Sequence, residues 1–393
     1  MRMPRRPRQP VETIARRRDL AAPVTSERDR PAIVAATYWW NRPTLRALLS
    51  TPAGPPVFVW RIDDAITRAS RIGADIYVWA SRLEDRHIEQ ADTAGLTLWR
   101  IEEGFLRSIG LGAGFVTAAA LAIDRRGIYY DASRPSDLEH ALETADLSPD
   151  EIAAGAVIRQ RILEARLSKY NLEADATPDD EARAIRRAAG GRPIVLVPGQ
   201  VGDDASILKT VSETIDLATS DNVNVALLAR ARARNPDAFL VFKPHPDVIA
   251  GLRRGAVPAP EAAQLADHVT TSSNIVALID SADRIETISS LAGFEALLRG
   301  KAVACHGVPF YAGWGLTEDL AAIPSRRTRR LTLDELVAIA FTRYTRHVHP
   351  YWRRECTCLE LIDGLVRQRG DARHHAHNAF LGRAAWACER LGL

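Results

Sequence analysis

Short apolar runs alternate with longer amphipathic stretches along most of the chain. In the first half the apolar runs cover residues 32–38, 57–60, 75–79 and 97–101, and the stretch 64–71 between two of them has helical spacing. Short runs rich in valine, isoleucine and aromatic residues are typical of buried strands. Strands that alternate with helices predict a parallel sheet covered on both faces.

The second half repeats this alternation after a long predicted helix over residues 149–170 and a polar, acidic segment at 174–181. A further helix is predicted in the first half, where Asn41-Arg42-Pro43 indicates its start, because proline is favourable in the first turn of a helix. The remaining predicted strands cover 194–197, 239–242, 284–287 and 302–305, and the remaining predicted helices cover 222–234, 274–280, 291–299, 333–343 and 355–369.

A chain of 393 residues, of which 46% are hydrophobic, suits two domains with buried cores. We therefore predict two Rossmann-like α/β domains, as in glycosyltransferases of the GT-B type, with the active site in the cleft between them. Ligands of open α/β sheets bind beyond the carboxyl ends of the strands. The predicted divisions are a disordered basic arm (1–30), an N-terminal domain (31–170), a linker (171–192), a C-terminal domain (193–345) and C-terminal helices (346–393).

Arginines cluster in two places although the net charge is only +3, which gives no indication of a nucleic-acid partner. One dense run lies within residues 1–30, and a second lies at 326–330. Arginine-rich surfaces suit anions such as nucleotide phosphates, acidic sugars or an anionic membrane leaflet. The two runs therefore favour an anionic ligand or surface as a partner.

The cysteines and the lack of long apolar runs predict a cytoplasmic protein. No apolar run reaches about 18 residues, and the basic N-terminus has no apolar segment of the signal-peptide kind. The four cysteines are irregularly spaced, which argues against a disulfide framework. The C-x-C at 356–358 does not make a recognised zinc spacing with His347 and His349.

Two carboxylates follow a predicted strand of the first half. Glu102, Glu103 and Gly104 come directly after the run 97–101, and Arg107 is close by in the sequence. Like charges that are held together raise the pKa of one of them toward the range useful for proton transfer. A general-base site is one interpretation, and a solvated acidic turn is the other.

Two loops of the second half also follow strands. Residues 197–206 read V-P-G-Q-V-G-D-D-A-S, where glycines let the backbone approach a ligand and Asp203 and Asp204 supply carboxylates. Asp204 equally predicts the cap of a short helix. In K-P-H-P at 243–246 the prolines stiffen the loop, so that Lys243 and His245 project toward a phosphate.

A third loop joins a predicted strand to a helix. Ser289 and Ser290 precede the predicted helix 291–299. Hydroxyl groups and unpaired amides at a helix N-terminus form an anion site, here for a nucleotide phosphate, and helix capping by Ser290 is compatible with that role. The aromatic, glycine-rich loop 306–315 would close over a sugar or a base.

Taken in order, these motifs resemble the capsule polysaccharide synthesis family, the KpsC-like β-Kdo transferases, over about residues 31–350 (Kdo is 3-deoxy-D-manno-oct-2-ulosonic acid). The chain contains one such module, where the familiar members contain two. The arm and the tail after about residue 370 have no counterpart in the family. The matching strings are E-E-G-F-L-R-S-I-G-L-G (102–112), Y-Y-D (129–131), P-G-Q-V-x-D-D-A-S-I (198–207), K-P-H-P-D-V (243–248), S-S-L-A-G-F-E-A-L-L-R-G (289–300) and P-F-Y-A-G-W-G-L-T (309–317).

The resemblance implies a retaining glycosyltransferase that moves Kdo from CMP-Kdo to a lipid-linked or glycan acceptor, without a metal, in capsule biosynthesis and export. It makes the N-terminal domain the acceptor side and the C-terminal domain the CMP-sugar side. It implies that Asp204, or else Asp203, is the nucleophile, that Glu102 or Glu103 is the acid/base, and that His245 assists CMP departure. The further implied contacts are Gln200, Lys243, Pro246, Ser289, Ser290 and Glu295 for the donor and Arg107, Ser108, Tyr311 and Trp314 for the acceptor or sugar.

Two other functions remain open at this point. One is a non-catalytic export or scaffold protein that binds nascent capsule, and the other is a transferase for a different CMP-linked nonulosonate. The partners expected for the transferase are CMP-Kdo, a lipid-linked saccharide, the anionic inner-membrane surface and other capsule-assembly proteins. The basic arm, together with the second basic run at 326–330, is expected to contact the membrane. A disordered arm with no partner is the other interpretation.

Overall fold

The computed structural model describes residues 30–110, 114–169, 171, 180–251 and 253–390. Nearly all of the predicted basic arm and residues 172–179 of the predicted linker lie outside these ranges. The chain divides into two compact units, neither of which is one continuous segment. Unit 1 contains Met1–Ile123, Thr144–Ala165 and Asp334–Leu393, and unit 2 contains Asp124–Glu143 and Arg166–Leu333.

A seven-stranded sheet forms the centre of unit 1. With strands numbered along the whole chain, it contains β1 (Ala32–Ala35), β2 (Val57–Val59), β3 (Asp75–Trp79), β4 (Leu98–Glu103), β5 (Ala120–Asp124), β12 (Thr345–Val348) and β13 (Glu355–Cys356). Its order is β13-β12-β5-β4-β3-β1-β2. The neighbouring pairs β4/β3, β3/β1 and β1/β2 are parallel, whereas β12 is antiparallel to both β5 and β13. The carboxyl ends of β1 to β4 therefore share one edge of the sheet.

Both faces of this sheet are buried. Ile33 and Ile76 belong to one apolar cluster, and the next residues along the same strands, Val34 and Tyr77, belong to another. Successive side chains of a strand point to opposite faces, so each face has its own core. Each fully buried aliphatic side chain contributes about 1.5–3 kcal/mol to folding.

Local sequence signals fix the ends of several helices of unit 1. Ser148 and Glu151 form a capping box at the start of one helix, and Thr357 and Glu360 form another. Gly73, with φ 65°, ends a third helix in the left-handed region. The helices are α1 (Arg42–Leu49), α2 (Ile62–Ile72), α3 (Asp85–Thr93), α5 (Pro149–Glu164), α13 (Leu333–Ala338), which continues as a π-helical turn (Ile339–Tyr344), α14 (Cys358–Arg369) and α15 (Ala372–Arg390).

Unit 2 has a six-stranded sheet in the order β11-β10-β9-β6-β7-β8, with parallel pairing throughout. Its strands are β6 (Ile194–Pro198), β7 (Phe239–Lys243), β8 (His268–Val269), β9 (Arg284–Thr287), β10 (Ala302–Cys305) and β11 (Glu318–Asp319). Its helices are α4 (Asp137–Thr144), α6 (Asp180–Ala188), α7 (Ala205–Leu208), α8 (Val223–Arg234), α9 (Pro246–Ile249), α10 (Ala259–Leu265), α11 (Ile275–Ser281) and α12 (Leu291–Leu298). From β6 the chain builds outward to β7 and β8, then returns to place β9 on the other side of β6. Such a reversal is the position at which open α/β sheets bind ligands.

The predicted class, two Rossmann-like α/β domains, is confirmed by these two sheets. The C-terminal segment differs from the prediction, because residues 346–393 contain strands as well as helices. The strands β12 and β13 extend the sheet of unit 1, so this segment belongs to the first unit and the units do not follow the contiguous ranges that we expected. Within the described ranges, no helix is both long enough and apolar enough to cross a membrane.

Candidate active site

One buried glutamine ties together the loops that follow β6 and β9. The side-chain oxygen of Gln200 accepts hydrogen bonds from Thr287 Oγ1 at 3.0 Å, from Ile288 N at 2.9 Å and from Ser289 N at 3.2 Å. Leaving a buried donor unpaired costs about 1–3 kcal/mol, so this arrangement fixes Ser289 relative to β6. Gln200 was expected to contact the donor, and the structure uses its oxygen to position the neighbouring loop.

A glycine allows the loop after β7 to approach the loop after β6. Gly199 N donates to the carbonyl oxygen of Lys243 at 2.7 Å. A Cβ at position 199 would lie only 3.0 Å from Pro244 Cα and 3.1 Å from His245 N. The K-P-H-P loop is therefore held against the P-G-Q loop, and Pro246 opens the short helix α9.

The Asp204 carboxylate caps the short helix α7. Its Oδ1 accepts a hydrogen bond from Ser206 N at 2.9 Å. The neighbouring Asp203 points elsewhere, since its Oδ1 lies 3.3 Å from Nε of Arg253. The capping role foreseen for Asp204 is thus present, and it leaves the carboxylate half-buried beside the other loops.

His245 is held as a neutral imidazole with its proton on Nε2. Asp247 N donates to His245 Nδ1 at 3.2 Å, and a backbone N–H can only donate, so Nδ1 carries no proton. Burial lowers the pKa of His245, and the cations of Lys169 and Arg253 act in the same direction, while Asp247 and Asp204 oppose them. His245 therefore offers an Nε2–H donor at neutral pH.

The serine pair stands at the start of α12, at the carboxyl end of β9. Ser290 Oγ accepts a hydrogen bond from Ala292 N at 3.2 Å, and Ser289 Oγ donates to the carbonyl oxygen of Ser206 at 3.0 Å. The first amides of a helix carry partial positive charge, which favours an anion. The cap and the tie to the Asp204 loop both fix the position of this N-terminus.

Three predicted contacts of unit 2 are buried behind this surface. Tyr311 Oη donates to the carbonyl oxygen of Ser290 at 2.5 Å, and Trp314 Nε1 donates to the carbonyl oxygen of Phe310 at 2.8 Å. Glu295 accepts from Lys169 N at 2.8 Å, and burial raises the pKa of its carboxyl. All three support the loops from within, and a direct contact with a sugar stays a prediction.

The acid pair lies at the carboxyl end of β4 in unit 1. Arg107 Nε donates to Glu103 Oε1 at 2.5 Å, and Glu103 N donates to Glu102 Oε1 at 3.0 Å. Arg107 is fully buried and also donates to Ser108 Oγ at 2.6 Å and to the carbonyl oxygen of Val116 at 2.7 Å. Arg107, expected to contact an acceptor or sugar, therefore holds Glu103 in place, and Ser108, of which the same was expected, accepts a hydrogen bond from Arg107. Gly104 lets β4 approach Ala120, whose Cβ would lie 2.8 Å from a Cβ there.

Sequence reasoning missed three residues of unit 2. The charges of Lys169 and Arg253 lower the pKa of His245, although neither residue belongs to a motif identified in the sequence. Asn224 is buried and connects the backbone of Gln200 to the carbonyl oxygen of Gly255, at 2.7–2.8 Å. No local pattern marks these residues, because their partners come from other loops.

The arginines of the second basic run, 326–330, were expected to favour an anionic ligand or surface, and the structure gives two of them another role. Arg326 and Arg327 both pair with Glu139, and Arg327 is buried, so these two members of the second basic run are engaged inside unit 2. The first basic run, residues 1–29, lies outside the described residues.

Burial raises the pKa of the Cys356 thiol to about 12, and Cys356 faces His347 across β12 and β13. In the part of the chain that the structure describes, no group of three or more His, Cys, Asp or Glu side chains is placed to hold a metal ion.

Comparison with known proteins identifies the family. A sequence family described as capsule polysaccharide biosynthesis protein matches residues 74–349. The chain belongs to this family. The capsule polysaccharide modification protein LipA of Neisseria meningitidis serogroup B is 35% identical to this chain over 331 residues, which cover 84% of this chain and 44% of LipA. The chain thus spans about half the length of the curated relatives that it matches.

Two solved structures have the same fold as this chain. They are Thermosulfurimonas dismutans KpsC structures described as a β-Kdo 2,7 transferase and a β-Kdo 2,4 transferase. The first is 29% identical with a TM-score of 0.66 and covers 86% of this chain and 99% of its own. The second is 30% identical with a TM-score of 0.68 and covers 86% of this chain and 98% of its own. The expected family is confirmed, together with a glycosyltransferase type of fold.

Proposed function

We propose that this chain is a retaining glycosyltransferase that moves Kdo from CMP-Kdo to a lipid-linked or glycan acceptor in capsular polysaccharide biosynthesis. The observation that carries the proposal is the set of three tethered loops after β6, β7 and β9. They gather the Asp204 carboxylate, the His245 Nε2–H, the Lys243 side chain and the N-terminus of α12 at one edge of one sheet. The likeness to the KpsC transferases supports Kdo as the sugar.

The first step uses the residues of unit 2. The Asp204 carboxylate attacks C2 of Kdo, the bond from C2 to the phosphate oxygen breaks, and CMP leaves with the bonding electrons. Lys243, the His245 Nε2–H and the amides of α12 stabilise the charge on the departing phosphate. Because these donors stand in the loops themselves, we propose that no metal is required and expect turnover to be unchanged by EDTA.

The second step uses the acid pair of unit 1. The acceptor hydroxyl attacks C2, the bond from C2 to Asp204 breaks, and the hydroxyl proton passes to a carboxylate. We propose that this carboxylate is Glu102 or Glu103, and that Arg107, whose Nε donates to Glu103 Oε1, holds the pair in position. Two successive displacements at one carbon give retention of configuration.

The experiment is incubation of the pure protein with CMP-Kdo or CMP-sialate and a saccharide acceptor, with CMP release and product mass measured together. We expect CMP release and a product heavier by one Kdo with CMP-Kdo alone. Transfer from CMP-sialate instead would identify another nonulosonate as the substrate. CMP release from neither donor would contradict the transferase and favour a non-catalytic capsule protein.

The place of action follows from the substrates. A CMP-activated sugar is a cytoplasmic donor and a lipid-linked acceptor lies at a membrane, so we propose a cytoplasmic enzyme that works beside other capsule-assembly proteins at the inner-membrane surface. Arginines within residues 1–29 would contribute about 1 kcal/mol each to reversible attachment. Equal sedimentation of the full chain and of a chain starting at Pro31 with anionic vesicles would contradict the role of the arm.

A further inference from the structure

An aromatic cluster stands at the carboxyl end of β1 in unit 1. It consists of Tyr38, Trp39, Trp40 and Phe115, with Trp39 and Trp40 packed on the Phe115 ring at centroid distances of 5.4 and 4.9 Å. Trp39 is nevertheless 53% exposed, and nearby Trp60, just after β2, is 72% exposed. Large aromatic side chains are usually buried, so this exposure suggests a surface that receives a ligand.

The loop that carries the cluster is fixed by hydrogen bonds to the segment before β5. Asn41 Oδ1 accepts from Ala118 N at 3.0 Å, and Thr44 Oγ1 donates to the carbonyl oxygen of Ala118 at 2.5 Å. Thr117 Oγ1 donates to the carbonyl oxygen of Trp40 at 2.8 Å. The loop is therefore organised before any ligand arrives, which lowers the entropic cost of binding.

Three polar atoms of the same loop are buried and have no hydrogen-bond partner among the described residues. They are Thr37 Oγ1, Asn41 Nδ2 and Arg42 Nε, and Thr37 and Asn41 are only 4% and 0% exposed. Buried polar groups are nearly always paired, so three unpaired ones in one loop point to groups that a ligand supplies. A hydroxyl, an amide N–H and a guanidinium N–H suit a ligand rich in hydroxyl and carboxylate oxygens.

Cations flank the aromatic rings. The Arg82 guanidinium lies 4.4 Å from the Tyr38 ring centroid, and the Arg42 guanidinium lies 5.1 Å from the Phe58 centroid and 5.5 Å from the Trp60 centroid. Aromatic faces pack against the apolar faces of sugar rings, and guanidinium groups bind carboxylates in a bidentate manner. The combination matches an acidic saccharide.

The same segment connects this loop to the acid pair. Arg107, which holds Glu103, also donates to the carbonyl oxygen of Val116, and the next residue, Thr117, donates to the loop at Trp40. In the sheet, β1 is separated from β4 by β3 alone, which places their carboxyl ends about 10 Å apart at ordinary strand spacing. The aromatic cluster and the acids thus border the same edge.

We propose that the loop 37–42, with Phe115 and Trp60, is a binding subsite for an acidic saccharide. It holds sugar units of the acceptor next to the unit that reacts at the acid pair. The identification of this saccharide as the acceptor rests on the proposed function. The unpaired hydroxyl and amide favour a saccharide over a lipid surface, because insertion of aromatic rings into a membrane does not supply partners to buried polar atoms.

The test measures binding of a fluorescein-labelled Kdo disaccharide to the full chain by fluorescence anisotropy. We expect Trp39→Ala and Trp60→Ala each to weaken the affinity about tenfold. Thr37→Val should weaken it by a similar factor, since one hydrogen bond is lost, while the melting temperature does not fall because that hydroxyl has no partner to lose. The matched control is Trp352→Ala, a tryptophan that is 54% exposed and lies between β12 and β13 at the other end of the sheet.

The outcomes separate this proposal from the proposed function. Unchanged disaccharide affinity in all three variants would overturn the subsite, even if CMP-Kdo is consumed normally. Weakened binding in a protein that transfers no Kdo would support the subsite and contradict the transferase. Loss of co-sedimentation with anionic vesicles without loss of disaccharide affinity would identify a membrane-contact surface instead. Equal affinity for a neutral maltotriose probe would overturn the requirement for an acidic sugar.

Discussion

At the scale of single residues, the Asp204 carboxylate serves as a helix cap and, in our proposal, as the nucleophile. Asp204→Asn separates the two roles, because the amide oxygen can still accept from Ser206 N and asparagine is an equally good cap. An amide does not form the covalent sugar adduct, so we expect transfer to fall by about 10³-fold or more with an unchanged melting temperature. Initial rates of CMP release and thermal unfolding check the two parts.

The control for this prediction is Asp203→Asn at the adjacent position. Asp203 is exposed and pairs with Arg253, and such surface pairs contribute about 0–1 kcal/mol. We expect nearly normal transfer and stability for this variant. Inactive Asp203→Asn with active Asp204→Asn would reverse the assignment.

His245 permits a similar separation of roles. His245→Asn keeps an acceptor at the position of Nδ1 for Asp247 N but removes the Nε2–H donor. Loss of one positioned donor to the leaving phosphate should lower the turnover number by about 10²-fold while the fold is retained. Steady-state kinetics with CMP-Kdo and calorimetric titration with CMP would measure this, and normal values of both would remove His245 from the site.

At the scale of secondary-structure elements, the short strands β12 and β13 introduce a buried titratable group. Burial lowers the pKa of His347 from its ordinary 6.5 to about 4. Below pH 6.5 the unfolded chain therefore binds a proton that the folded chain excludes. This stabilisation is complete above pH 6.5 and is lost as the pH falls toward 4, an effect of about 3 kcal/mol on the free energy of unfolding.

The measurement is urea unfolding of the wild type and of His347→Gln at several values between pH 7 and pH 4.5. Carboxylates also titrate in this range, so the informative quantity is the difference between the two proteins. We expect the wild type to lose more stability on acidification than the variant does. Parallel pH profiles would show that His347 is not held neutral by the fold.

The elements also show how far the sequence alone predicts this molecule. The strands β3, β9 and β10 coincide with their predicted ranges. In β3 and β10 a short apolar run, 76–79 and 302–305, marks the strand in the sequence. The strands β12 and β13 were not predicted, since neither Thr345–Val348 nor Glu355–Cys356 is an apolar run. Only their pairing with β5 and with each other marks them as strands.

For the candidate site, too, the sequence predicts the local motifs but not the contacts between distant residues. The motifs after β4, β6, β7 and β9 were found because strand ends are recognisable in sequence. The positioning roles of Gln200 and Arg107 were not predicted, since each role depends on backbone atoms that only the folded chain brings near the side chain. Lys169 was missed for the same reason.

At the scale of the whole molecule, unit 1 is assembled from segments far apart in the sequence. Gly155 of α5 packs on the start of α13 so closely that a Cβ there would lie 2.2 Å from the carbonyl oxygen of Asp334. Arg159 Nε donates to Asp334 Oδ1 at 2.8 Å, and Arg343 pairs with Glu151. The elements α13, β12, β13 and α14 are therefore part of the core of unit 1, not a tail.

This arrangement predicts that truncation after Leu333 unfolds unit 1 and spares unit 2. The truncated chain lacks β12 and β13, which leaves β5 as an exposed edge, and it removes the helices that cover α5. The donor loops all lie between β6 and α12, so CMP binding should survive while transfer and disaccharide binding are lost. Hydrogen exchange would show fast exchange at β3 and β4 and retained protection at β6 and β9.

The control is truncation after Gly370, which removes α15 but keeps β12, β13 and α14. We expect this shorter deletion to leave protection at β3 and β4 in place, because the sheet and the contact of α5 with α13 remain. A point variant, Gly155→Val, should imitate the longer deletion, since its side chain collides with backbone rather than with a flexible side chain. Protected β3 and β4 in the chain that ends at Leu333 would instead mean that residues 1–165 fold without the C-terminal segment, and unit 1 would then be an N-terminal domain to which the last strands are added.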